Sequence, residues 1–151
     1  ARASVGSLHP LSRHTNRPKD LQETNVSKIL NPDALGTPAA YSHAIEVSGG
    51  RTVYIAGQIG TKDGKVVEGG ITEQTQATFD NIEAILKDAG MDFSNIVKTT
   101  VFLTNPDDYA AFGKVRTERL GPTKPASTLV YISGLVLPEL VVEVEAVAVA
   151  D

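Results

Sequence analysis

The sequence predicts an α+β domain: one mixed sheet with two helices on one face, in the order β-β-α-β-α-β-β. Three observations predict it. Residues 72–89 carry apolar side chains at helical spacing. The C-terminal segment "VVEVEAVAVA" alternates with the period of a strand. Helical segments separate strand-like ones, which requires crossovers onto a shared sheet.

The elements follow in chain order. Residues 1–25 read as an extension outside the fold. The first nineteen carry Arg2, Arg13, Arg17 and Lys19, no acid, and two prolines. They read either as a tail or tag, or as a transit-peptide remnant. The second reading would place the protein in a mitochondrion or another organelle; the first leaves it cytoplasmic. Residues 26–151 read as a single domain. "SHAIEVS" and "TVYIAGQ" flank Gly49-Gly50 and predict a hairpin. "GTKDGKVVEGG" reads as a glycine-rich loop. Helix 72–89 takes Thr72 as N-cap, Glu73 in its first turn, and Gly90 at its end. Phe79, Ile82, Leu86 and Ala89 form its apolar stripe. "NIVKTTVFLT" is a β-branched strand. Asn105-Pro106 opens a second helix that stops at Gly121-Pro122. "TKPASTLVYISG" is the next strand, "LPEL" a turn, and the alternating segment closes the chain.

In that last strand Val142, Val144, Ala146 and Ala148 face one way, under the helices. Val141, Glu143, Glu145, Val147 and Val149 face the other way. The second face is too apolar for water, and both helices are already used. A second copy of the chain is the economical cover, which implies clefts between subunits.

Composition removes several chemistries. The 151-residue chain has no cysteine, so disulfides, zinc–thiolate sites and cysteine nucleophiles are out. Of three histidines, His9 and His14 lie in the extension. His43 alone has no partner spacing that singles out a triad or a metal cluster, and it reads as a strand or interface residue. A net charge of −4 argues against a nucleic-acid surface. No apolar run reaches the ~18 residues of a membrane span. Carboxylates, hydroxyls and backbone remain. Glu143 and Glu145 read either as polar alternation against aggregation, or as interface carboxylates able to orient or deprotonate water. Tyr41 is a second candidate polar group.

Four segments together resemble a known family. They are "PAAYSHAI", "YIAGQIG", "TFDNIEAILKDAGMDFSNIVKTTVFLT" and "VVEVEAVA". In this order they are similar to the Rid (RidA-like reactive intermediate deaminase) proteins, also called the YjgF or L-PSP family. The resemblance implies a chorismate-mutase-like fold. It implies a homotrimer with a central barrel and pockets between subunits. It implies cofactor-free hydrolysis of 2-imino or enamine acids to 2-oxo acids and ammonia, with no metal.

Residue by residue, Tyr41 matches the pocket tyrosine, Gly57 the pocket glycine, and Glu143 the glutamate that holds the hydrolytic water. Three positions depart. The pocket serine is Ala56, the second-helix asparagine aligns with Gly113, and the signature P-A-R-S/T reads Pro125-Ala126-Ser127-Thr128. Ser127 therefore stands where the family has its carboxylate-binding arginine. The segment from Ser127 to Glu143 is also one residue longer, near Leu137-Pro138.

A bidentate arginine is among the strongest carboxylate anchors, and serine supplies no charge. The expectation is an imine or enamine hydrolase whose pocket has moved away from ordinary 2-imino acids. Its ligand would be a small imine, enamine or 2-oxo-acid-like molecule. Arg116 reads either as a solvated helix residue or as a replacement charge. The alternatives are a non-catalytic trimer binding a metabolite or protein and, less favoured, a ribonuclease or translation inhibitor.

Overall fold

The computed structural model describes residues 27–151. The N-terminal extension, with its tail and transit readings, lies outside them. The strands are β1 (Ser27–Leu30), β2 (Ala44–Val47), β3 (Arg51–Ile59), β4 (Thr61–Lys62), β5 (Lys65–Val66), β6 (Ile96–Leu103), β7 (Ala126–Tyr131) and β8 (Val142–Ala150). The helices are α1 (Ile71–Asp88) and α2 (Tyr109–Leu120).

The main sheet has four strands in the order β3-β8-β6-β7. β8 runs antiparallel to both of its neighbours, and β6 pairs with β7 in parallel. Each helix therefore makes a crossover: α1 from β3 to β6 across the intervening β8, and α2 from β6 to its parallel neighbour β7. The two-helix, mixed-sheet α+β architecture is as the sequence predicts.

Helix ends follow local chemistry. The N-cap of α1 is Gly70, two residues before the expected Thr72. Glu73 folds back so that its carboxylate accepts the Gly70 N–H at 2.9 Å. Backbone hydrogen bonds, its own N–H first, hold the Glu73 carboxyl below its ordinary range. At the other end Met91 N donates to Leu86 O and Gly90 N to Lys87 O, the paired closure of a Schellman motif, with Gly90 at φ 69°. Asn105 accepts from Asp107 N and starts a 3-10 turn over Pro106–Asp108, which leads into α2.

The core lies between the helices and one sheet face. Phe79, Ile82 and Leu86 of α1 meet Val142, Val144, Ala146 and Ala148 of β8, all buried as expected. Burying each large side chain contributes roughly 1.5–3 kcal/mol. Val149, expected on the opposite face, is buried too. Among the described residues the rest of that face is uncovered: Tyr54 is 81% exposed and Val130 is exposed too, with Val147, Thr100 and Phe102 partly buried between them.

Two local expectations are corrected. β2 and β3 form no hairpin. β2 pairs instead with β1, from Ser27↔Val47 to Leu30↔Ala44, as a separate ribbon. Gly50 is required for a different reason: its backbone lies against the Ala150 carbonyl, so a Cβ there would collide with the end of β8. The glycine-rich loop after β3 holds the small β4–β5 hairpin, turned by Asp63 and Gly64, both at positive φ.

Gly113 sits inside α2, and a Cβ there would meet nothing within 4 Å. Gly113→Ala is expected to stabilise the fold by about 0.5–1 kcal/mol through lower unfolded-state entropy. Urea denaturation of the two proteins checks it.

Candidate functional site

Ser127 and Thr128 are consecutive on β7, so they face opposite sides of the sheet. Ser127 faces the helices, where its Oγ accepts from buried Thr99 Oγ1 at 2.9 Å. Thr128 faces the open side and accepts from Lys98 Nζ at 2.9 Å.

On the helix side a cavity of about 490 Å³ opens between α2 and β7. It brings together Tyr41, Gly113, Arg116 and Ser127, four of the eight sequence-predicted positions. Val101, Phe112 and Leu129 give it apolar walls. Tyr41 is held there through its neighbours. Ser42 N donates to Pro125 O at 3.1 Å, and Ser42 Oγ to Lys124 O at 2.6 Å. Arg116 donates to Ala40 O at 2.8 Å. The segment leading into β2 is thereby fastened over the cavity. His43, the adjoining histidine, packs edge-on against Tyr41, and its backbone N–H donates to Asn31.

The solvated reading of Arg116 is overturned, because the residue is only 9% exposed. Phe112, Val115, Arg116 and Leu120 form the buried stripe of α2. Burial pushes the Arg116 guanidinium below its ordinary range, with nearby Tyr109 opposing. Its NH2 group is buried and unpartnered among the described residues, and no carboxylate there forms an ion pair with it.

The other four positions lie away from this cavity. Glu143 is on the open face of β8, opposite Phe102 of β6, and half-buried. Its carboxylate lies over Gly57, where a register shift interrupts the β3–β8 ladder. A Cβ at Gly57 would sit 2.7 Å from Glu143 Cδ, so the bare backbone makes room for the carboxylate. Ala56 lines a shallower cleft of about 350 Å³ on the open face, with Lys98, Thr100 and Glu145. The sheet thus stands between the Tyr41/Gly113/Arg116/Ser127 group and the Ala56/Gly57/Thr128/Glu143 group.

One positioning residue has no motif to announce it. Buried Gln74 donates from Nε2 to Glu139 O at 2.8 Å and accepts Val141 N at 2.9 Å. This clamps the chain immediately before β8 and so fixes the start of the strand that carries Glu143. The available signal is a polar residue in the first turn of α1, five residues before Phe79.

Two helices over a mixed sheet, with a glycine-backed glutamate on its far face, define the class to which known proteins can be compared. The family model described as Endoribonuclease L-PSP matches residues 31–150. A human protein named 2-iminobutanoate/2-iminopropanoate deaminase is 36% identical over 126 residues, covering 82% of this chain and 88% of that one. The Schizosaccharomyces pombe protein named mmf1, mitochondrial, is 36% identical over 144 residues, 95% of this chain and 85% of that one. Among solved structures, YyfB from Yersinia pestis, described as a member of the conserved Rid protein family, superposes with a TM-score of 0.74. It is 30% identical, over 83% of this chain and 99% of that one. The chain belongs to the Rid family.

Proposed function

We propose that the protein hydrolyses an imine or enamine to the corresponding carbonyl compound and ammonia. Water adds to the C=N carbon, and the tetrahedral adduct expels nitrogen as ammonia. Glu143 positions and deprotonates the water, and Tyr41 donates a hydrogen bond to the substrate. The observation that carries this reading is the Glu143 carboxylate lodged over the bare backbone of Gly57. The name of the human relative supports the same chemistry.

The working unit in this reading is a homotrimer. Glu143 and Ser127 lie on opposite faces of one sheet, so one substrate meets both only between two copies. The partly apolar open face supports such an association. Its strands would form the central barrel, and Ala56, Gly57 and Thr128 would lie in or beside the cleft. Ribonuclease activity, named in the family description, would need a cationic surface for the phosphate backbone, and the chain carries a net −4.

The test is a coupled assay in which an amino-acid oxidase generates imines and ammonia release is followed. Wild type should accelerate release, and Glu143→Gln should lower the rate by about 10²–10⁴, the usual worth of a general base. Equal rates for the two proteins would remove Glu143 from the mechanism. Binding without turnover would favour the non-catalytic trimer, consistent with Ala56, Gly113 and Ser127 all departing from the family pattern.

For location, the basic, acid-free first nineteen residues and the mitochondrial name of one relative support an organelle over the cytoplasm. A fluorescent fusion of the full chain should be organellar and become diffuse when residues 1–25 are removed. Diffuse fluorescence from the intact fusion would contradict this.

A further inference from the structure

The guanidinium of Arg116 is the unusual group in the cavity. A buried charge is costly unless paired, and a buried N–H without an acceptor adds to the penalty. Arg116 is 9% exposed and lines the cavity, satisfies one nitrogen on the Ala40 carbonyl, and leaves NH2 buried without an acceptor among the described residues. Guanidinium does not escape the cost by losing its proton. An anion entering the cavity that Arg116 lines would supply both an acceptor and a countercharge.

The surroundings define which anion. Thr99 spends its hydroxyl hydrogen on Ser127 Oγ, which leaves the Ser127 O–H to donate into the cavity. Arg116 as the one cation of the lining, with Ser127 as a neutral donor beside it, suits a single carboxylate. A second charge on the ligand would have no partner among the residues lining the cavity. Tyr41, Tyr109 and Thr117 add hydroxyls to the lining, Val101, Phe112 and Leu129 give it apolar walls, and the volume of about 490 Å³ falls within the range of organic ligand sites. A three- or four-carbon acid would leave most of it unfilled.

We infer that Arg116 anchors the carboxylate of a monoanionic ligand with a bulky apolar or aromatic substituent, taking over the charge that Ser127 lacks. The substituent packs against Val101, Phe112 and Leu129, and Ser127 donates the second hydrogen bond. In chemical class the ligand is a 2-imino or 2-oxo acid of a large hydrophobic amino acid. That assignment rests on the proposed function, so the test reads binding and not turnover.

The experiment is calorimetric titration of the full chain with phenylpyruvate, 2-oxobutanoate, 3-phenylpropanoate and 3-phenylpropanamide. Both phenyl acids should bind, with the amide and 2-oxobutanoate each at least tenfold weaker. Arg116→Met should weaken phenylpyruvate binding at least tenfold, and Arg116→Lys should retain part of it. The melting temperature of Arg116→Met should stay level or rise, because an unpaired buried charge has been removed. Gly113→Leu is a second route, filling the cavity without touching Arg116, and should also abolish binding. Equal affinity for acid and amide, or unchanged binding by Arg116→Met, would overturn the anchor. Equal affinity for 2-oxobutanoate and phenylpyruvate would overturn the bulky substituent. Arg116-dependent binding with a silent deaminase assay would sink the hydrolase reading alone.

Discussion

Gly57→Ala is expected to lower turnover about 100-fold while leaving the fold intact. The added methyl occupies the space in which the Glu143 carboxylate lies, and only the end of a flexible side chain has to yield. Stability should therefore change by less than about 1 kcal/mol, the range of tolerated substitutions. A displacement of about 1 Å at a reacting group costs roughly 10²-fold in rate. The signature is a fall in kcat with an unaltered melting curve. A Gly57→Ala protein of full activity would show that the carboxylate position seen here is irrelevant to chemistry.

Gln74→Leu should have the largest effect on stability among the polar positions. It strips partners from the Glu139 carbonyl and the Val141 N–H together. Losing two such bonds, one to a half-buried donor, costs about 2–3 kcal/mol, or roughly 5–10 °C in melting temperature. Gly60→Ala should behave similarly, since a Cβ there lies 2.8 Å from the Gln74 Cα, a backbone atom that cannot swing aside. Thermal unfolding followed by circular dichroism measures both. Wild-type melting temperatures for both variants would remove the clamp from the account.

The features legible in the sequence were those governed by near neighbours. The α1 stripe, the Gly90 closure and the two faces of β8 all depend on residues within a few positions of one another. Period-two alternation alone placed Glu143 away from the helices. Gly49-Gly50 misled because positive φ, 89° and 80° here, permits a tight turn or a departure equally. Which one forms depends on β1, about twenty residues upstream, and on β8, at the far end of the chain. Asp63-Gly64 is the better turn signal, but the glycines around it give the whole segment the composition of a loop. Arg116 was half-legible: Phe112, Val115, Arg116 and Leu120 have core-facing spacing, yet an arginine in that pattern ordinarily argues for solvent. Its burial depends on the Ala40 carbonyl and the cavity, which are brought to it by tertiary structure. The separation of Ser127 from Glu143 by the sheet follows from pairing register, which spacing along the chain does not contain.

In the proposed mechanism one reaction uses Glu143 from one subunit and the Arg116–Ser127 cavity of another. Complementation tests it directly. Glu143→Gln and Arg116→Met, each impaired alone, are unfolded together, refolded as mixed trimers, and assayed for ammonia release from the imine of phenylalanine. Sites shared between neighbouring subunits should pair two unmodified halves in about one case in four, restoring about a quarter of the wild-type rate. A mixture no more active than its two components would contradict the shared site.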